Sequence, residues 1–276
     1  MSAEAQTINA APSQPCLLRE DRGAVALLTL NRPQSRNALS GELLTALGAA
    51  LAEIDESKSV HAVVLTGAPP AFCAGHDLRE ITAHRADADG GQAFFDGLMR
   101  LCSGVMQFVM MSPKPVIAAI DGIAMAAGCQ LVASCDLAVA SEESQFATPG
   151  VNIGLFCSTP MVALSRNIGR KHAMEMLLLG EMIGAQRAAE MGLVNRVVPR
   201  ERVLPVAMEM ANVIASKSPM TLRTGKEAFY RQLEMPVADA YEYGSRIMVE
   251  NLLRADAEEG IGAFLEKRQP RWPDEK

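Results

Sequence analysis

PVIAAIDGIAMAAGCQLVASCDLAVAS, residues 115–141, holds two apolar runs of strand length on either side of a segment of small side chains. By length and flanking residues, 115–121 and 136–141 read as buried strands, and the segment from about 126 as a short helix between them. Elements alternating in this way point to an α/β layer architecture. The stretch is too short for a membrane span: fourteen residues lie between Asp121 and Asp136, one of them Gln130, against about 20 apolar residues for a bilayer.

Working outward, the same alternation continues upstream. LLREDRGAVALLTL (17–30) reads as two strands around a turn at Asp21 to Gly23. SGELLTALGAALAEIDE then sets Leu43, Leu44, Leu47 and Leu51 on one helical stripe behind a Ser40 N-cap. A strand over 60–66, a Gly/Pro loop and an amphipathic helix over roughly 92–111 follow. Downstream, Leu193–Val198 reads as the last strand, and four amphipathic helices punctuated by Pro199, Pro205, Pro219 and Pro236 complete the chain. These changes divide it into a core over 16–200 and a C-terminal helical module over 201–276.

With 276 residues and 49% hydrophobic side chains, the chain has an ordinary globular composition. A formal charge of −6 gives no global attraction to nucleic acid or an anionic membrane, so a phosphate-bearing ligand must be met by a local cluster. Six cysteines without paired short spacings, and four histidines without metal-ligand intervals, indicate reduced thiols and no metal site. The first eighteen residues hold no Arg or Lys and read as a loose polar tail, so a cytoplasmic location is expected.

The small residues Ala124, Ala126, Ala127 and Gly128 allow two readings. They permit close packing of the helix on a sheet, or they leave its first N–H groups open as an anion site. A second loop, PPAFCAGHDLRE (69–80), favours the anion site. There Gly75 precedes a helix capped by Asp77, so that two loops after two strands could aim two N–H donors at one oxygen, as in an oxyanion hole.

At these loops the sequence resembles the crotonase superfamily, the enoyl-CoA hydratase/isomerase fold, over nearly its whole length. LNRPQSRNALS, AFCAGHDLRE, residues 115–155, GEMIGAQRAAEMGLVNRVV and EEGIGAFLEKRQPRW carry the resemblance. It implies a spiral core of repeated ββα units, an acyl-CoA thioester as ligand with coenzyme A as part of the substrate rather than a separate cofactor, and a homotrimer or dimer of trimers. Carried over residue by residue, the oxyanion donors fall on the N–H groups of His76 and Ala127. Ala74, Asp77, Leu78, Arg79 and Gly128 fall where the family lines its acyl-CoA site, the backbone of Arg36, Asn37 and Ala38 where it receives adenine, and Phe264 and Lys267 where it reaches CoA.

The two hydratase glutamates fall on Gln130 and Gly150, neither of them an acid. Hydration needs one group to take a proton from water and another to give one to carbon, so ordinary hydratase or isomerase chemistry is not expected. The resemblance leaves enolate stabilisation, with two alternatives: a decarboxylase-like acyl-CoA lyase, or a non-catalytic acyl-CoA-binding regulator. Thr159–Pro160 reads as a helix cap, Cys129 and Cys135 as small core residues, Asp121 and Asp136 as turn residues. Lys226, Arg268 and Arg271 read as surface charges open to a CoA phosphate.

Overall fold

In a computed structural model that describes residues 14–273, the chain opens with β1 (Leu17–Arg22), β2 (Val25–Leu30), α1 (Gly41–Glu56), β3 (Ala62–Gly67), α2 (Leu78–Ala83) and α3 (Gln92–Met111). The stretch quoted above follows as β4 (Val116–Ile120), β5 (Ile123–Met125), α4 (Ala127–Ser134) and β6 (Leu137–Ser141). Next come β7 (Gln145–Ala147), α5 (Pro160–Asn167), α6 (Arg170–Leu179), β8 (Ile183–Gly184), α7 (Ala185–Met191) and β9 (Arg196–Val198). The chain closes with α8 (Val203–Ala215), α9 (Pro219–Gln232), α10 (Val237–Leu252) and α11 (Ala255–Leu265).

A six-stranded sheet runs in the order β1-β2-β3-β4-β6-β9, with β1 antiparallel at its edge and the rest parallel. A parallel sheet needs cover on both faces, and the period-two alternation divides the strands accordingly. Ala26, Leu28, Val63, Leu65, Val116 and Ala118 face the large core built with α1, α3 and α4. Val25, Leu27, Ala62, Val64, Ile117 and Val139 face a second cluster with Val203, Val206, Ala207 and Ala211 of α8. The first helix beyond residue 200 therefore closes the sheet. A smaller sheet, β5-β7-β8, was not expected from the sequence; strands of two or three residues carry no readable period.

Local signals hold where they were strongest. Ser40 Oγ accepts the Leu43 N–H at 3.2 Å, and the four leucines of the α1 stripe are buried. Asp77 caps α2 through the Arg79 N–H at 3.1 Å. Thr159 makes no side-chain cap, although Pro160 does begin α5. No helix among the described residues is long and apolar enough to cross a membrane.

Two readings of charged residues need correction. Asp136 is more than a turn residue and Lys226 is no surface cation: their side chains are 17% and 7% exposed and paired at 2.7 Å. Lys226 Nζ also donates to the carbonyls of Val109 and Lys114, while Asp136 accepts from Tyr230 Oη and the Val116 N–H. This network ties α9 to the N-terminal ends of β4 and β6. Arg268 is engaged by Glu259 and Glu266.

Removing one partner of a buried pair strands the other charge, so Lys226→Met is expected to destabilise the fold by about 3–5 kcal/mol. Urea denaturation of wild type and variant at neutral pH checks it, and an unchanged midpoint would contradict the burial.

Candidate functional site

The site is built at the C-terminal ends of β3 and β4, where open α/β sheets bind ligands. The chain leaves β3 at Gly67, where a Cβ would lie 2.4 Å from the Phe72 carbonyl oxygen. Only glycine allows the loop to fold back so closely. Asn37 then braces it: its amide donates to Ala68 O at 2.8 Å and Ala71 O at 2.6 Å, and its oxygen accepts the Arg32 N–H at 2.9 Å. Asn37 is fully buried at φ +55°, a left-handed conformation that asparagine tolerates better than most residues.

The segment after Asn37 pairs with the loop as a short parallel bridge. The Leu39 N–H donates to Gly75 O at 2.7 Å and the Asp77 N–H donates to Leu39 O at 3.1 Å. His76 lies between these two bonds, so its own N–H turns to the opposite side, as backbone groups alternate along a strand. Arg32 completes the brace with bonds to the Ala38 carbonyl at 2.5 Å and to Asp77 at 2.9 Å.

The second loop is stitched to the first. Cys73 N–H donates to Ile123 O at 3.0 Å and Met125 N–H to Cys73 O at 2.9 Å. Ala126 sits at φ +47° as the N-cap of α4, a strained conformation that costs an alanine about 1–3 kcal/mol. Its N–H is held by Ala147 O at 2.9 Å. A Cβ on Gly75 would lie 3.0 Å from Ala126 Cβ and 3.6 Å from Ala127 N, which shows how closely the two loops meet. Among the described residues, neither the His76 nor the Ala127 N–H has an acceptor.

Three polar side chains flank these donors. Gln130 lies one turn along α4 from Ala126, 4% exposed, with Oε1 unpaired. Thr148, fully buried, follows Ala147, and its Oγ1 is also unpaired. Both ring nitrogens of His76 are buried without a partner. Burial lowers the imidazole pKa from its ordinary 6.5, and the Leu39 carbonyl nearby acts in the opposite sense. Asp77 moves differently: against the upward push of burial, the bonds from Arg32 and the Arg79 N–H hold its carboxyl below the ordinary value.

The structure thus brings His76, Ala127 and Gln130 together and gives other candidates different work. Asn37 and Asp77 spend their side chains on the brace and the α2 cap. Arg36 and Ala38 offer their carbonyls to the Ala74 N–H and to Arg32. Leu78 and Arg79 are exposed at the start of α2. Gly128 faces the Cys73 carbonyl, where a Cβ would sit at 2.2 Å, so it serves packing rather than a ligand surface. Gly150 is sealed as well: a Cβ would meet Leu155 O at 2.7 Å and Cys157 Sγ at 2.9 Å. A glutamate there has no room unless the turn at 154–157 moves. Phe264 lies in α11 and Lys267 in the turn just beyond it, at φ +56°, and the C-terminal helices pack at the opposite end of the sheet, where Trp272 bonds Ser216 O. Thr148 and the bracing role of Leu39 were missed. Leu39 did carry one signal, an apolar residue before the Ser40 cap with Leu44 after it, the pattern of a hydrophobic staple.

A sequence model of the enoyl-CoA hydratase/isomerase family matches residues 20–275. The human protein named enoyl-CoA hydratase domain-containing protein 3, mitochondrial, is 45% identical over 248 residues, covering 90% of this chain and 80% of that one. A probable enoyl-CoA hydratase of Rhizobium meliloti is 37% identical over 261 residues, 94% and 98% of the two chains. The crystal structure of an enoyl-CoA hydratase from Mycobacterium smegmatis matches with a TM-score of 0.88 at 48% identity, covering 94% of this chain and 99% of that one. The expectation of a cytoplasmic location is overturned by the vertebrate relatives, whose names place them in mitochondria. All six cysteines are free thiols. Of the polar tail on which that expectation also rested, residues 1–13 lie outside the described residues.

Asn37→Ala leaves two carbonyls and one N–H unpaired in a buried loop, at about 1–3 kcal/mol for each group. The variant is expected to melt well below wild type in a thermal scan; an unchanged melting temperature would show that the loop does not depend on this brace.

Proposed function

The chain belongs to the enoyl-CoA hydratase/isomerase family, and we propose that it takes an acyl-CoA thioester whose carbonyl oxygen is held by the His76 and Ala127 N–H groups while an enolate forms. One observation carries this reading. Four of the five buried side-chain nitrogen and oxygen atoms without a partner among the described residues belong to His76, Gln130 and Thr148, beside those two N–H groups. Native proteins leave few such atoms. Their concentration at one helix start supports a place where a ligand completes the bonding.

Negative charge developing on the thioester oxygen meets two N–H donors and the positive end of α4. Coenzyme A enters as part of the substrate. Hydration is disfavoured because an amide at Gln130 takes no proton near neutral pH and position 150 has no side chain. A second reading, loss of carbon dioxide from a malonyl-type ester, forms the same enolate without a base. A regulator that binds the ester without turning it over would use the same donors.

For assembly, the proposal is a homotrimer or dimer of trimers. Leu253 and Phe264 are each 82% exposed and Leu265 is 73% exposed, and a neighbouring subunit would cover them while receiving Phe264 and Lys267 near its own ligand. Light scattering is expected to report three or six times 29.5 kDa; a monomer or dimer would contradict it.

Ala127→Pro replaces one donor N–H, at the first helical position, by a ring methylene that also intrudes where the oxygen would sit, so the loss is at least that of a deleted donor. On a panel of saturated, crotonyl and malonyl-type CoA esters, the variant is expected to lose about 10²–10³ in rate on any ester that wild type turns over. No binding of any ester by wild type in calorimetry would overturn the thioester reading.

A further inference from the structure

We propose that the His76 imidazole is the proton-transfer group of this site, taking a proton from carbon 2 of the bound thioester and returning one to it. The inference rests on the thioester reading above and goes beyond it, since that reading uses only the His76 backbone.

The groups around the two donors leave one candidate. Gln130 and Thr148 do not titrate near neutral pH. Asp77 is committed to Arg32 and to the α2 cap, and Glu80 to the Gly41 N–H at 3.1 Å. Burial pushes the thiols of Cys73 and Cys129 up to about 12 and raises Cys157 as well, so all three stay protonated. The His76 ring alone combines a basic nitrogen with buried ring nitrogens that make no hydrogen bond among the described residues, the Leu39 carbonyl being the acceptor nearby, and it hangs from the residue whose N–H would hold the oxygen.

The charged groups on the packed segments are few. The segment at 32–41 brings Arg32, which is paired, and Arg36; the loop and α2 bring Asp77, Arg79 and Glu80. β5, α4 and β7 bring none. With the imidazole pKa lowered by burial, the neutral form is in place at pH 7, as a base requires.

In the step itself, the unprotonated ring nitrogen accepts the carbon 2 proton and the C–H electron pair becomes the second bond between carbons 1 and 2. The carbonyl π pair moves onto oxygen, between the two N–H donors. Reprotonation at carbon 2 by the imidazolium restores the thioester. The imidazolium can trade its proton with water in between, so solvent hydrogen enters carbon 2 with no net reaction.

Incubation of the full-length protein with butyryl-CoA in deuterated water, followed by NMR of the carbon 2 protons, tests this. Wild type is expected to speed exchange, and His76→Gln, which keeps the backbone donor, to lose about 100-fold or more of it while calorimetry shows the ester still bound. His76→Ala is expected to regain exchange when free imidazole is added. The wild-type rate should rise with pH as the ring deprotonates and level off with a midpoint below 6.5. Exchange at the wild-type rate in His76→Gln, or wild type that binds the ester without exchange, overturns the assignment. Failure of wild type to bind butyryl-CoA would instead remove the thioester reading beneath it.

Discussion

The short bridge between Leu39 and the loop at Gly75–Asp77 is the constraint on which the candidate site depends. One hydrogen bond donated by Leu39 to Gly75 O and one accepted by Leu39 O from the Asp77 N–H commit the flanking peptides and turn the His76 N–H to the other side. Asn37 fixes the root of the same loop and Arg32 its far end. Stiffness matters here because donors aimed in advance need no reorganisation when charge develops. The Cys73 bonds to Ile123 and Met125 lock the second loop to the first, so both donors belong to one rigid body.

What stands around those donors is neutral. Burying a carboxylate is expensive unless it is paired, and this chain instead buries an amide, a hydroxyl and an imidazole whose charged form is disfavoured by burial. Each unpaired atom carries a desolvation cost of about 1–3 kcal/mol, which a ligand with matching donors and acceptors would offset. Gly150 adds a steric statement to the electrostatic one: the backbone of Leu155 and the sulfur of Cys157 occupy the space that a second acid would need. The lack of an acid at position 150 is therefore matched by the backbone around it as well as by the choice of side chain.

The two ends of the parallel sheet have different tasks. Its C-terminal ends carry glycine-dependent loops, a strained alanine and free N–H groups. Its N-terminal ends carry the Lys226–Asp136 pair and the Tyr230 hydroxyl, fully bonded, with Lys226 also capping carbonyls of α3 and the turn before β4. A well-satisfied network at one end allows orphaned groups at the other, because strain at a site persists only where the surrounding structure holds it.

Periodicity, caps and punctuation are encoded within a few residues, so the sequence alone determined the alternating strands and helices, the α1 stripe behind Ser40, the Asp77 cap and the span of α3. Its motifs also determined the family. Only the tertiary structure decided that Lys226 is buried against a residue ninety positions away, that Asn37 braces a loop, that Thr148 joins Gln130 beside the donors, and that position 150 is closed. Those facts depend on which surfaces meet after the layers pack, and no local spacing specifies that meeting. The β5-β7-β8 sheet belongs with them, since its strands exist only because neighbours supply their hydrogen bonds.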